Sequence, residues 1–439
     1  MALPLPRVPA LRSLTPDGWL LFITRCIRLY AYGLVSVILM LYLSQIGLSN
    51  TRIGLLLTLT LIGDTAVSLW LTTRADRLGR RRMLLVGAVL MIFAGLVFAL
   101  SGNFVLLLIA ATIGVISPSG NEVGPFLPIE QASLCHVVPG RHRTEVLAWY
   151  ALAGSFATAA GALTGGVLTQ ALLRALSTPV MAYRIVVGTY AFLGLVLALL
   201  FTRLSPRVEV RASNDNGAPA SAPAHWGLGR SRRVVLKLST LFALDAFGGG
   251  FIIQSIAAYW FHVRFGIDPA ALGGIFFTAN VLAGFSALAA AWIASKIGLI
   301  NTMVFTHLPS NVLLILVPFM PTAPLAIALL LLRFSISQMD VPTRQSYTMA
   351  VVEPDERSAA AGVTGVARTI GAAVSPSLAG LLLSHAPLLN VPFLLAGGLK
   401  IVYDLLLYRS FSALRAPGER KEPPTDAPTS TIKLPERPE

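Results

Sequence analysis

Ten charged side chains of this sequence stand inside stretches that are otherwise apolar: Arg25, Arg28, Asp64, Glu122, Glu130, Asp245, Arg333, Asp340, Arg344 and Arg368. At the centre of a lipid bilayer an ionised group costs about 3 kcal/mol or more, so each must face water, a solute or an opposite charge. A carboxylate that alternates between a dry setting and an arginine partner can load and release a proton. Burial favours the neutral acid, and a nearby guanidinium favours the anion. Glu122, in SPSGNEVGPFLP, is the first candidate for that role and Asp245 the second. The same groups equally fit static pairing, Arg28 with Glu122 and Asp245 with Arg333 or Arg368, and both readings stand. Other chemistry lacks its residues. No phosphate-binding glycine loop or nucleophile elbow is present, so neither ATP hydrolysis nor ester chemistry is expected. His262 and His307 read as loop or interfacial groups without a metal constellation. Cys26 and Cys135 offer neither a ligand cluster nor a disulfide framework. No enzyme activity, metal or cofactor is expected.

The elements that must hold these charges are membrane helices. Hydrophobic residues make up 55% of the 439 and charged residues 12%, about half the charge a soluble domain carries. Stretches long enough to cross about 30 Å of hydrocarbon are read at 19–43, 51–73, 83–101, 103–134, 145–173, 182–202, 235–262, 270–295, 301–320, 323–349, 359–383 and 390–408. Twelve crossings put both ends on one side. The net charge of +14 gathers after even-numbered helices, as in Arg74 to Arg82, Arg141 and Arg143, Lys296 and Arg357. Cytoplasmic loops carry such an excess. The chain is therefore expected in a bacterial inner (plasma) membrane with both termini cytoplasmic, and the basic residues are not read as a nucleic-acid surface. The first 18 residues form a cytoplasmic N-terminus without the features of a signal peptide. A six-helix bundle follows at 19–203, then a flexible linker at 204–234 with the polar run SNDNGAPASAPAH. A second bundle spans 235–408, and a proline-rich disordered tail covers 409–439.

The two bundles repeat one another. FLPIEQASLCHVVPGRHR (126–143) aligns without gaps on DVPTRQSYTMAVVEPDER (340–357), pairing Pro128 with Pro342, Gln131 with Gln345, Val137 and Val138 with Val351 and Val352, and Arg143 with Arg357. A second block, Arg74 to Gly79 on Ile293 to Gly298, is offset by five more residues. Insertions of that size sit in loops. Parallel six-helix repeats around a midplane site are a transporter architecture.

The loop RADRLGRRR (74–82) resembles the signature loop of the major facilitator superfamily, G-x-x-x-D-R-x-G-R-R, through Asp76, Arg77, Gly79, Arg80 and Arg81; Thr72 replaces its first glycine. The resemblance covers about 19–408. In that family the loop latches one conformation closed, and Asp76 is expected to cap neighbouring amides and pair with cations of the facing half. GSFATAAGALTGG in the fifth helix, with Gly154, Gly161, Gly165 and Gly166, is similar to the G-P-x-x-G-G signature of exporters in the same superfamily, with Ala162 in place of its proline. Plain small-residue packing is the other reading.

The resemblance implies an all-α fold of two pseudo-symmetric six-helix bundles, with helices one, four, seven and ten lining a central cavity. On those helices the substrate-contact candidates are Arg28, Tyr32, Asn121, Glu122, Asp245, Gln254, Arg333, Gln338 and Asp340. Glu130 and Arg344 occupy equivalent repeat positions nearer the cytoplasm. With Arg143 and Arg357 they read as an inner gate whose pairing between halves breaks on opening. Prolines and glycines around Ser117 to Pro128 and Gly248 to Gly250 should unwind the fourth and seventh helices, leaving backbone groups that need a wet cavity. The implied activity is secondary transport of a small organic molecule by a monomer, with protons and the bilayer as partners and export favoured. Uptake or exchange of an organic anion, attracted by Arg28, Arg333 and Arg368, is the rival, favoured if those arginines lack internal partners. A non-transporting membrane receptor or scaffold is the second.

Overall fold

The computed structural model describes residues 11, 14–139, 142–209, 229–353 and 356–411. Most of the expected linker and tail, the first ten residues and Arg141 lie outside the described residues. The described chain is built from helices α1 (Pro16–Ser36), α2 (Leu39–Gln45), α3 (Asn50–Leu78), α4 (Arg80–Leu100), α5 (Phe104–Ile113), α6 (Phe126–Val137), α7 (Arg143–Ala175) and α8 (Pro179–Phe201). The second half contributes α9 (Arg232–Gly250), α10 (Gln254–Phe265), α11 (Pro269–Ile297), α12 (Leu299–Leu316), α13 (Ala323–Ser337), α14 (Asp340–Val351), α15 (Arg357–Leu383) and α16 (Val391–Phe411).

Among the described residues ten helices or near-continuous helix pairs are long and apolar enough to cross a membrane. The bent pair α1–α2, kinked by 44°, makes eleven. The remaining expected span, 103–134, is split: α5 stops at the extended Gly114, and α6 begins only at Phe126. Glycines at φ +71° (Gly120) and φ +80° (Gly124) turn the intervening chain where other residues would be strained. The expected unwinding of the fourth helix is therefore longer than a kink. In the seventh span the break between α9 and α10 falls at 251–253.

The repeat is visible in three dimensions. α6 and α14 are both twelve residues long and offset by 214 at each end, and α7 and α15 start at the same offset. α3 and α11 end 219 residues apart, each followed by a glycine with positive φ, Gly79 at +102° and Gly298 at +88°. Both blocks of the sequence repeat thus mark equivalent corners of the two bundles.

The ends of the expected linker are tied down, which corrects the flexible reading for 204–209 and 229–231. Leu204 and Val208 are buried, and Ser205 donates through its amide (3.0 Å) and hydroxyl (2.6 Å) to the Asp17 carboxylate. At the other end the Glu356 carboxylate accepts the amides of Gly229, Arg230 and Ser231 at 2.7, 2.9 and 2.9 Å. These amides, that of Ser231 first, hold the Glu356 carboxyl below the usual carboxylate range. A depressed folded-state value means the contact stabilises at neutral pH and is lost as pH falls through that depressed range. Limited proteolysis near Gly229 should accelerate in acid for the native protein, and at every pH for Glu356→Ala. An unchanged pattern in the variant would remove the tether.

Candidate functional site

The N-terminal half encloses a four-charge cluster. Arg28, on α1 and fully buried, places Nη1 and Nη2 on the two oxygens of Glu130 at 2.6 and 2.8 Å and Nε on Glu122 at 2.8 Å. Arg25, one turn earlier, reaches Glu122 from the other side at 3.0 Å. Glu130 is completed by the hydroxyls of Thr24, at 3.1 Å, and Tyr150. Arg28 also lies over the Phe126 ring and Arg25 over Tyr150, at 4.6 and 4.4 Å from the centroids. Two cations meet two anions with a donor on every carboxylate, the condition under which charges can remain in a dry interior. The Glu122 side chain keeps 16% of its surface exposed and Glu130 none. Glu122 is therefore the more accessible of the two carboxylates.

The C-terminal half holds a larger network. Asp245 on α9 takes Lys400 Nζ at 2.5 Å and Arg344 Nη1 at 3.1 Å, and Arg344 also binds Asp340 at 2.9 Å. Behind Lys400, His307 donates to or accepts from Asp404 at 2.8 Å, and Asn311 donates to the second Asp404 oxygen at 3.0 Å. His307 is buried, which overturns its expected interfacial position. Gly248 makes room for the Lys400 stem, which passes 3.1 Å from where a Cβ would stand.

These contacts revise several assignments. Arg28, Asp245 and Asp340 are buried among charges of their own half, and Tyr32 is fully buried with its hydroxyl on the Val123 carbonyl at 3.1 Å. None of the four lines an open cavity in this conformation. Glu130 and Arg344, expected to pair between halves, each pair within their own. Arg143 and Arg357 are exposed, and Arg143 donates to the Val138 carbonyl at 3.3 Å. Asp245 takes Lys400 and Arg344 in place of Arg333 or Arg368. Those two arginines have no acidic partner among the described residues, and the Nε of each is buried without a hydrogen bond. Gln338 is half-buried, its amide directed to the Ser286 hydroxyl at 3.3 Å.

In the signature loop Asp76 is exposed and takes Arg80 of its own segment at 2.8 Å. The expected capping is performed by Glu209, which accepts the Arg80 and Arg81 amides at 2.7 and 3.1 Å while Arg80 Nη1 reaches the Val208 carbonyl. An acid at a helix N-terminus satisfies amides the helix leaves unpaired. Arg77 is exposed in the last turn of α3.

The halves pack on one another along α3 with α15 and α7 with α11, most closely at one end of the molecule. Gly54 and Gly380 pack backbone to backbone, and so do Gly166 and Gly273; a Cβ on Gly380 would stand 2.4 Å from the Asn50 carbonyl. Around them Asn50 donates to the Leu383 carbonyl (2.8 Å), the Thr51 and Ser384 hydroxyls meet at 2.9 Å, and Ser377 meets Thr58 at 2.8 Å. The broken spans converge just inside this seal. Gln254 donates to the Ser36 hydroxyl (2.8 Å) and accepts from Asn280 (3.2 Å), and the Ser255 amide donates to the Pro118 carbonyl (3.1 Å). Asn121, in the same break, is exposed. Towards the end that carries Pro16 and Phe411, α6 packs on α1, α3 and α4, and α14 on α9, α11, α12 and α15, each within its own half. There the repeat mates Gln131 and Gln345 are both exposed.

In the fifth-helix motif, Gly161 and Gly165 lie against the backbone of α1 at Tyr30 and Leu34, and Gly166 bridges to the other half at Pro269 and Gly273. Close helix approach is their visible use.

The chain is 33% identical over 426 residues to the Saccharomyces cerevisiae protein described as "Uncharacterized membrane protein YJR124C", covering 91% of this chain and 95% of that one. A shorter match, 27% identical over 113 residues, is to the quinolone resistance protein NorA of Staphylococcus aureus, covering 26% of this chain and 28% of that one. Among solved structures, a bacterial homologue of the human lysosomal transporter Spinster, inward-facing and occupied, superposes with a TM-score of 0.69 at 15% identity over 91% of this chain and 97% of that one. The family model described as Major Facilitator Superfamily matches residues 21–376. With its paired bundles, its four-residue Asp-Arg-Leu-Gly corner and this match, the chain is a multi-pass membrane protein of the Major Facilitator Superfamily.

Proposed function

We propose that this protein is a secondary transporter that moves a small organic solute by alternating access, with export driven by protons. The observation that carries the reading is the asymmetry between its ends: glycine contacts and hydrogen bonds join the halves at one, while at the other, among the described residues, α6 and α14 each pack mainly on helices of their own half. Rocking about a fixed midplane site inverts such an arrangement. The excess of Lys and Arg in the loops at the α6 and α14 end supports a cytoplasmic side for it and for both termini, so in this reading the conformation receives solute from inside. Gln254, Asn280 and the break residues Asn121 and Glu122 are polar groups near the joined end and are the candidates for solute contact. The likeness to a quinolone resistance protein makes a fluorescent fluoroquinolone the first probe. Purified protein in vesicles should move it when a pH gradient is imposed and lose that movement when the gradient is collapsed. Movement indifferent to the gradient would leave facilitation and remove proton coupling.

Arg333 and Arg368 favour a second reading, in which the solute carries an anionic group. Two partly buried guanidinium groups without an acidic partner among the described residues are costly unless a ligand neutralises them. One charge-assisted hydrogen bond is worth about 1.5 to 3 kcal/mol, so Arg333→Gln should raise the KM for an anionic probe roughly tenfold or more, and leave a cationic probe unaffected. Equal losses for both probes would rule this reading out.

A further inference from the structure

We propose that Asp64 is the proton-carrying carboxylate of this transporter, coupled to the solute through the break in the fourth span. The proposal rests on the transport reading above. Of the acidic side chains set within the membrane-spanning elements, Glu122, Glu130, Asp245 and Asp340 each have an arginine or lysine nitrogen within 3.1 Å. Asp404 has the His307 imidazole at 2.8 Å. Among the described residues Asp64 has neither. It sits halfway along α3, fifteenth of 29 residues. Its Oδ1 accepts the Gly124 amide at 2.5 Å and the Ser68 hydroxyl at 3.4 Å.

This placement is enforced by the backbone. A Cβ on Gly63 would stand 1.8 Å from the Thr112 carbonyl, so α3 lies directly on the last turn of α5, just before the break. Asp64 is thereby held beside Gly124, which has φ +80° and donates its amide to the carboxylate. An anion at mid-membrane without a cation is expensive, whereas the neutral acid is not. The Gly124 amide makes the anion attainable, since a carboxylate accepts such a bond more strongly than a carboxylic acid does. Proton loading on Asp64 therefore loosens the grip on Gly124.

Glu122 lies two residues before Gly124 in the same break and keeps part of its side chain exposed. A change at Gly124 is transmitted to the boundary where solute would bind, and the coupling must run equally in reverse. The titratable groups facing Asp64 are Glu122 from the break, Tyr32 from α1 and Tyr190 from α8. α5 brings no charged residue, and those of α4 are Arg80 to Arg82 at its far end. On α15, which runs antiparallel along α3 with Ser377 on Thr58 and Gly380 on Gly54, the charged residue at the depth of Asp64 is Arg368.

The test needs no solute. Infrared difference spectra of the purified protein, recorded between acid and neutral pH, should show a protonated-carboxyl stretching band that Asp64→Asn abolishes. Glu122→Gln should keep that band, because Glu122 is held by two arginines. If Asp64→Asn does not fold, Asp64→Glu carries the test and must shift the band's frequency or midpoint. A band that survives Asp64→Asn, or is unmoved in Asp64→Glu, overturns the proposal, and so does its absence from the native protein. Fluoroquinolone movement in vesicles separates this from the transport reading. An Asp64-dependent band without gradient-driven movement keeps the proton site and sinks coupled transport. Gradient-driven movement unaffected by Asp64→Asn keeps coupled transport and sinks the site.

Discussion

A protein carrying Thr51→Cys with Ser384→Cys, and with Cys26 and Cys135 replaced, should transport nothing once oxidised and recover fully on reduction. The two hydroxyls stand 2.9 Å apart at the closed end, one on α3 and one just past α15. Sulfur atoms in their place fall within reach of a disulfide with little backbone movement, which such a bond requires. Cys26 and Cys135 are free and half-buried, so their removal leaves one route of cross-linking. Alternating access demands that this end part, and a covalent bond forbids it, whereas access from the open end is untouched. Fluoroquinolone movement in vesicles should therefore fall to the level of protein-free vesicles, while binding from the open side persists. Residual turnover in fully cross-linked protein would sink rocking about this seal. Gly380→Val approaches the same seal from the opposite direction. Its side chain would meet the Asn50 carbonyl, so the variant should populate the conformation open at this end, read as faster labelling of a cysteine at position 51.

Much of this framework was legible in the residues because hydrocarbon imposes simple rules. Twelve apolar stretches, basic loops and the 214-residue repeat led to the two bundles, since length and Lys/Arg placement decide how a chain crosses a membrane. The interiors were less legible. Lys400 and Asp404 stand on the twelfth span, outside the helices one, four, seven and ten that the resemblance assigns to the cavity. Yet both stand in VPFLLAGGLKIVYDLLLY, one helical turn apart in an otherwise apolar run, the same signal that exposed Arg28 and Asp245. His307 was missed for a different reason. An imidazole is cheap enough at an interface that its burial follows only from Asp404, 97 residues away. Glu209 carries no sequence signal beyond its charge, because its role depends on how the chain leaving α8 folds back onto the start of α4. Pairing is the least legible property. Glu130 and Arg344 sit at equivalent repeat positions, which suggested that they meet, but equivalence by a pseudo-twofold places them in separate bundles, each with its own counter-ion.

That separation makes Arg28 the most consequential single residue for folding. Arg28→Leu should leave Glu130 fully buried with only the Thr24 and Tyr150 hydroxyls, and Glu122 with Arg25 alone. Removing one partner of a buried pair costs about 3 to 5 kcal/mol, since the remaining charge is stranded where water cannot reach. The variant should melt well below the native protein in detergent and be recovered in lower amount. Arg28→Lys should rescue little. An ammonium is a point charge and cannot serve two carboxylates with the fork that reaches Glu130 through two nitrogens and Glu122 through a third. Arg28→Leu combined with Glu130→Leu should be more stable than Arg28→Leu alone, because it removes the stranded charge along with its partner and leaves Arg25 and Glu122 balanced. The double-mutant cycle separates the two uses the sequence allowed for these groups. A large coupling energy, with fluoroquinolone movement retained in the folded double variant, makes Arg28 and Glu130 a structural pair and confines the moving charge to Glu122 in the break and Asp64 beside it. A coupling near zero, or a folded double variant that binds the probe but does not move it, would place the pair in the transport cycle itself.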